Sequence, residues 1–107
     1  MIVRIVLTSD NIIKSVSAEG HAGEEKAGDN IVCAASTALI RSAYRTAALR
    51  KKISFNLKAD KPGSIFFEIK EFEDKDLLYL AGITDYLITG LRDLEAEYPD
   101  KIGLELN

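Results

Sequence analysis

A single cysteine and a single histidine, Cys33 and His21, lie twelve residues apart in this 107-residue chain. Thiol and imidazole are the pair that performs nucleophilic acyl transfer. The imidazole takes the thiol proton, the sulfur attacks a carbonyl, and the proton is later returned to the leaving group. The surrounding residues are Gly20-His21-Ala22-Gly23 and then Gly28-Asp29-Asn30-Ile31-Val32-Cys33-Ala34-Ala35. With a helix starting at Asn30, Cys33 falls about three residues in, where free backbone N–H groups and the macrodipole favour a thiolate. The same N–H groups can hold the oxyanion of an acyl-transfer intermediate. Ala34 and Ala35 leave room for a peptide backbone. The plain structural alternative is an inert core cysteine flanked by valine and alanine, with His21 closing a strand. A redox sensor is a third reading, weakened because the chain holds no resolving cysteine. One Cys and one His cannot build a Cys/His zinc site within one chain, so neither metal nor cofactor is expected.

The elements that must position this pair follow from periodicity. Residues 2–8 alternate, with Val3, Ile5 and Leu7 on one side and Arg4 on the other, as a strand does. Ser9-Asp10-Asn11 makes a turn, and Ile12–Gly20 returns as a second strand with Ile12, Val16 and Ala18 inward. Gly20–Asp29 reads as a loop around Glu24-Glu25-Lys26, with Gly20, Ala22, Gly23 and Gly28 shaping it. Asn30, or Asp29 one residue earlier, is the expected N-cap of a helix from Ile31 to about Arg50. Its inward stripe is expected to be Ile31, Ala35, Ala38, Leu39, Ser42 and Thr46, and its end is marked by Arg50-Lys51-Lys52. Alternation in 53–59 and 65–69 around Asp60-Lys61-Pro62-Gly63 gives a second hairpin. Asp74 is the expected cap of a second helix with the stripe Leu77, Leu80, Ala81, Thr84, Leu87, Ile88, Leu91 and Leu94. Tyr98-Pro99-Asp100 stops that helix, and Ile102, Leu104 and Leu106 form a last strand.

The order ββαββαβ predicts a two-layer α+β domain: a mainly antiparallel sheet with both helices on one face, one unit spanning residues 1–107. Ile2, Val6 and Phe66 then point outward, which hints at a dimer. Hydrophobic residues at 47% against 29% charged fit a globular chain and not a disordered one. No apolar run approaches the ~20 residues of a bilayer span, and the start lacks the pattern of a secretory signal. A lone cysteine fits a reducing compartment, so the expected location is cytoplasmic. The net charge of −3 disfavours free DNA or RNA as partner and favours a basic protein or peptide. Arg41, Arg45, Arg50, Lys51 and Lys52 read as helix-dipole and solvated charges. Tyr44, Tyr79, Tyr86 and Tyr98 read as half-buried packing residues.

Gly-His-Ala at 20–22, followed by Gly-x-x-Ile-Val-Cys-Ala-Ala at 28–35, resembles the ribosomal-processing cysteine protease family. Length and element order agree over the whole chain, while the specific motif covers Gly20 to about Thr37. The resemblance implies a His21–Cys33 dyad and a loop glycine at Gly28. It further implies a cytoplasmic homodimer that removes a short N-terminal extension from a large-subunit ribosomal protein precursor, after bulky apolar residues. Two positions depart from the family pattern: Asn30 replaces the usual Asp before Ile-Val-Cys, and Thr37 replaces the usual Ser after the cysteine. Asn30 or Asp29 is therefore expected either to cap the helix or to orient His21. A ribosome-assembly binding module with an inert thiol is the non-catalytic alternative.

Overall fold

A computed structural model describes residues 1–20, 27–61 and 64–107, with side chains at 1–20, 31–59 and 64–107. The alternating segments form strands β1 (Ile2–Leu7), β2 (Ile13–Glu19), β3 (Ser54–Lys61), β4 (Ser64–Glu71) and β5 (Gly103–Leu106). Helices α1 (Ala27–Ala48) and α2 (Leu77–Glu97) separate them, the second entered through a short 3-10 turn at Asp74–Asp76. The sheet order is β3-β4-β2-β1-β5. All pairings are antiparallel except β1 with β5. This is the expected two-layer α+β architecture.

The core lies between sheet and helices. Val3, Ile5, Val16 and Phe67 from the strands meet Val32, Ile40, Leu87 and Leu91 from the helices, all fully or almost fully buried. A register shift between Val6 and Leu7, opposite Ile13–Ser15, lets both Ile12 and Ile13 go inside while Lys14 stays exposed. Asn11 at φ 61° makes the left-handed turn its residue type tolerates. Thr8 Oγ1 accepts the N–H groups of Asp10 and Ile12 there.

The structure corrects several expectations for the helices. α1 begins at Ala27, four residues before Ile31, so Gly28, Asp29 and Asn30 are helical backbone and neither Asn30 nor Asp29 is the N-cap. Each added residue of a nucleated helix gains a hydrogen bond, and an acid such as Asp29 is favoured in a first turn, near the positive end of the helix dipole, so the helix can begin before the residues that would cap it. The sheet-facing stripe of α1 is Val32, Ser36, Ile40, Ala43 and Ala47, and the stripe expected from the sequence instead runs along its outer and α2-facing sides. α1 stops at Ala48, so Arg50 does not sit in its last turn. The Arg50 guanidinium lies 4.1 Å over the Tyr79 ring and 3.5 Å from Asp76 Oδ1. Asp76, not Asp74, is the buried acid at the head of α2, and its other carboxylate oxygen accepts the Glu73 N–H at 3.3 Å. Tyr44, Tyr79 and Tyr98 are half-buried as expected, but Tyr86 is 70% exposed.

Thr84 ties α2 to the sheet. Its hydroxyl is buried, donates to the Leu80 carbonyl at 2.8 Å and accepts the Ile13 N–H at 3.0 Å beside the register shift. Thr84→Val keeps the volume and orphans that N–H. Unfolding should then cost about 1–3 kcal/mol less, a loss a thermal or urea melt resolves readily. An unchanged melting point would show that water satisfies the Ile13 N–H.

Candidate active site

Cys33 is the seventh residue of α1, on its second turn and half-buried. That is one turn deeper than expected, and the macrodipole's influence falls off within the first turn. Its neighbours in sequence set its pose. Val32 is fully buried against the sheet, Ala34 is exposed, and the thiol position lies between these two sides of the helix. Ser36, one turn on, is completely buried and donates its hydroxyl to the Val32 carbonyl at 2.8 Å, with the Cys33 carbonyl at 3.2 Å. The backbone under the cysteine is thereby fixed by a side chain that the sequence pattern did not single out.

His21, Ala22 and Gly23 lie outside the described residues, as does Glu24-Glu25-Lys26. The described chain ends just before His21, at Gly20, directly after β2. Gly20 takes φ +98°, and a Cβ there would stand 3.1 Å from the Met1 Cα, so both the dihedral and the space require glycine. Met1 is the wedge between the two halves of the motif. Its backbone packs on Gly20, its sulfur lies 3.0 Å from Ser36 Oγ, and its nitrogen donates to the Lys101 carbonyl at 2.9 Å. The residue preceding His21 and the residue one turn beyond Cys33 thus touch the same side chain or its backbone. Asp29 and Asn30 sit in the first turn of α1, one helical turn before Cys33. Thr37, one turn after it, is half-buried.

Gly20→Ala should impose about 1–3 kcal/mol of backbone strain at the end of β2. The expected result is a lower melting temperature together with slower turnover. Gly103→Ala, where a Cβ meets nothing within 4 Å, is the matched control and should change neither. Equal melting points for the two variants would contradict the strained position assigned to Gly20.

The model of the cysteine protease Prp family matches residues 1–103, which includes both halves of the motif. The chain belongs to that family. It is accordingly a cysteine protease, and the nucleophile needed for such chemistry has one candidate by residue type, since Cys33 is the chain's one cysteine. Solved structures of the same fold include the ribosomal processing protease Prp from S. aureus with a covalently linked product peptide (20% identity, TM-score 0.79) and with a substrate peptide (20% identity, TM-score 0.81). In each case 99% of this chain and 98% of the other are covered. A protein from Streptococcus mutans aligns over 98% of this chain and 91% of its own, with 20% identity and TM-score 0.78. No curated protein matches the sequence. Among the described residues, no helix is long and apolar enough to cross a membrane.

Proposed function

We propose that this protease removes a short N-terminal extension from a large-subunit ribosomal protein, with Cys33 as nucleophile and His21 as general base and then acid. The observation that carries the reading is the family match across residues 1–103, in which the only thiol of the chain lies on a helix flank twelve residues from its only imidazole. The Cys33 sulfur bonds to the scissile carbonyl carbon as His21 takes the thiol proton. The tetrahedral oxyanion collapses, the C–N bond breaks, and the imidazolium protonates the departing amine of the mature protein. Water, deprotonated by His21, then cleaves the thioester, and the thiol is regenerated beside a free extension peptide. No group beyond this chain and water is needed to balance the reaction.

Several features support the proposal. The covalent product peptide in the S. aureus structure is what a thioester-forming protease of this fold would trap. Cys33 stands on the second turn of α1, so the helix dipole contributes little there and His21 carries the activation. Asp29 and Asn30 lie one turn before the cysteine along α1, and either is proposed as the group that orients the imidazole in the manner of a third catalytic member. The net charge of −3 attracts a basic ribosomal protein. A homodimer in the cytoplasm completes the reading, with no nucleic acid or membrane as partner.

The test is incubation with the source organism's own ribosomal protein precursor, followed by intact mass measurement. Loss of a short N-terminal segment is the expected result. Binding without any mass change would instead identify a non-catalytic assembly module.

A further inference from the structure

The flank of α1 that carries the thiol faces one side of the sheet. A helix turns about 100° per residue, so Thr37 and Tyr44 fall within about 40° of Cys33 around the axis. Leu39, whose side chain lies against Gly90 of α2, stands about 120° away on the opposite flank. The thiol side is therefore turned from α2. Tyr44 shows what it is turned toward. Its ring lies 6.2 Å from that of Phe55 on β3 and 5.8 Å from that of Phe67 on β4. Cys33, Thr37 and Tyr44 are all half-buried.

α1 crosses the sheet obliquely. Near its start Ser36 Oγ lies 3.0 Å from the Met1 sulfur, beside β1, whereas two turns further on Tyr44 stands over β3 and β4. The inward row of β3, an edge strand, consequently loses its cover along its length. Ile53 is buried and Phe55 half-buried, but Leu57 is 42% exposed and Ala59 is exposed as well. Leu57 pairs in register with the almost fully buried Phe67, so it shares the helix-side face of the sheet. Beside it on β4, Ile65 is half-buried and pairs with Ala18 of β2. Ala18 stands two residues before Gly20, which packs on Met1, so this uncovered strip is at the end of the sheet where α1 begins.

We infer that the substrate chain lies on this strip, between Leu57 and the Cys33 flank of α1, and that Leu57 and Ile65 select a bulky apolar side chain near the scissile bond. A peptide joined to Cys33 through its scissile carbonyl must run over the surface next to the sulfur. The rise from Cys33 to Tyr44 along α1 is about 16.5 Å, and an extended chain advances about 3.3–3.6 Å per residue. About four to five substrate residues therefore fit before Tyr44, packed on Phe55, ends the strip. Alternate side chains of an extended chain point to one side, so two or so of these turn down onto Leu57 and Ile65. The inward row Ile53, Phe55, Leu57 and Ala59 holds no charge and no hydrogen-bonding side chain. An apolar side chain is what it can take out of water, and a charged one would lose its hydration there without a partner.

This inference rests on the cleavage reading above and names the residues that set its substrate preference. Leu57→Lys and the milder Leu57→Gln are compared with wild type and with Leu106→Lys, a matched change at an exposed leucine on β5, the opposite edge strand. The substrate is the source organism's own precursor, and steady-state kcat and KM are measured beside a thermal melt. Both Leu57 variants should lose about tenfold or more in kcat/KM, chiefly through a raised KM, while melting close to wild type. Leu106→Lys should change neither. Should the lysine variant melt low, Leu57→Gln decides. Precursors with alanine at each bulky apolar residue within five positions of the cut then locate the contact. One of them should slow wild type about tenfold and cost the Leu57 variants little further, because that contact is already gone. Wild-type kinetics in a folded Leu57→Gln, or losses that simply add at every position, would overturn the strip as the substrate's bed and leave cleavage standing. A wild type that leaves the precursor intact would overturn the cleavage reading and this inference with it.

Discussion

Cys33→Ser should reduce cleavage of the ribosomal protein precursor by on the order of 10⁴-fold or more while leaving the melting temperature close to wild type. A hydroxyl in place of the thiol stays protonated near neutrality and is a far weaker nucleophile, and removing a nucleophile typically forfeits nearly all of the chemical acceleration. The substitution is mild for the fold. Cys33 is half-buried, while its neighbours Val32 and Ser36 are fully buried and Ser36 Oγ donates to the backbone carbonyls of this turn, at Val32 and Cys33. Substrate binding should therefore survive, and the variant should still compete for precursor with active enzyme. Near-normal trimming by Cys33→Ser would remove the thiol from the mechanism altogether. An unfolded variant would show only that the site is structural, so the melt accompanies the kinetics.

His21→Ala should cost about 10²–10⁴-fold in turnover, the usual loss when a positioned acid–base group is removed. The cysteine lies one turn too deep in α1 for the helix dipole to do this work, so the proposed mechanism leaves activation of the thiol to His21. The check is single-turnover cleavage of the precursor by wild type and His21→Ala, each accompanied by a melt. Near-normal cleavage by a folded His21→Ala variant would remove the imidazole from the mechanism.

The strands were legible because alternation has one solution per strand: Val3 and Ile5 inside forces Arg4 outside. The helices were less so, and α1 shows why. Its sequence carries two small-residue stripes of equal periodicity, Ile31-Ala35-Ala38-Ser42-Thr46 and Val32-Ser36-Ile40-Ala43-Ala47. Local pattern cannot rank them, and only the fit of the second against the sheet decides. The start of α1 was missed for a related reason, because Asp29 and Asn30 suit a cap and a first turn alike. Of the proposed site, the sequence offers the residue types and spacing of His21 and Cys33, and of these two the structure describes Cys33. The contact of Met1 with both Gly20 and Ser36 was not legible, because these three residues are far apart in sequence and meet through contacts that no periodicity encodes. The same holds for Tyr86, an aromatic on a helix whose exposure depends on how far the neighbouring helix stands away.

In the proposed mechanism Cys33 forms a covalent bond with the substrate. Precursor mixed with excess enzyme, quenched in acid during a single turnover and weighed intact, should contain enzyme heavier by the extension peptide less one water. Digestion should map that added mass to the segment containing Cys33, and Cys33→Ala should show neither adduct nor cleavage. Cleavage that proceeds without an adduct on Cys33, or that persists at full rate in Cys33→Ala, would contradict the account.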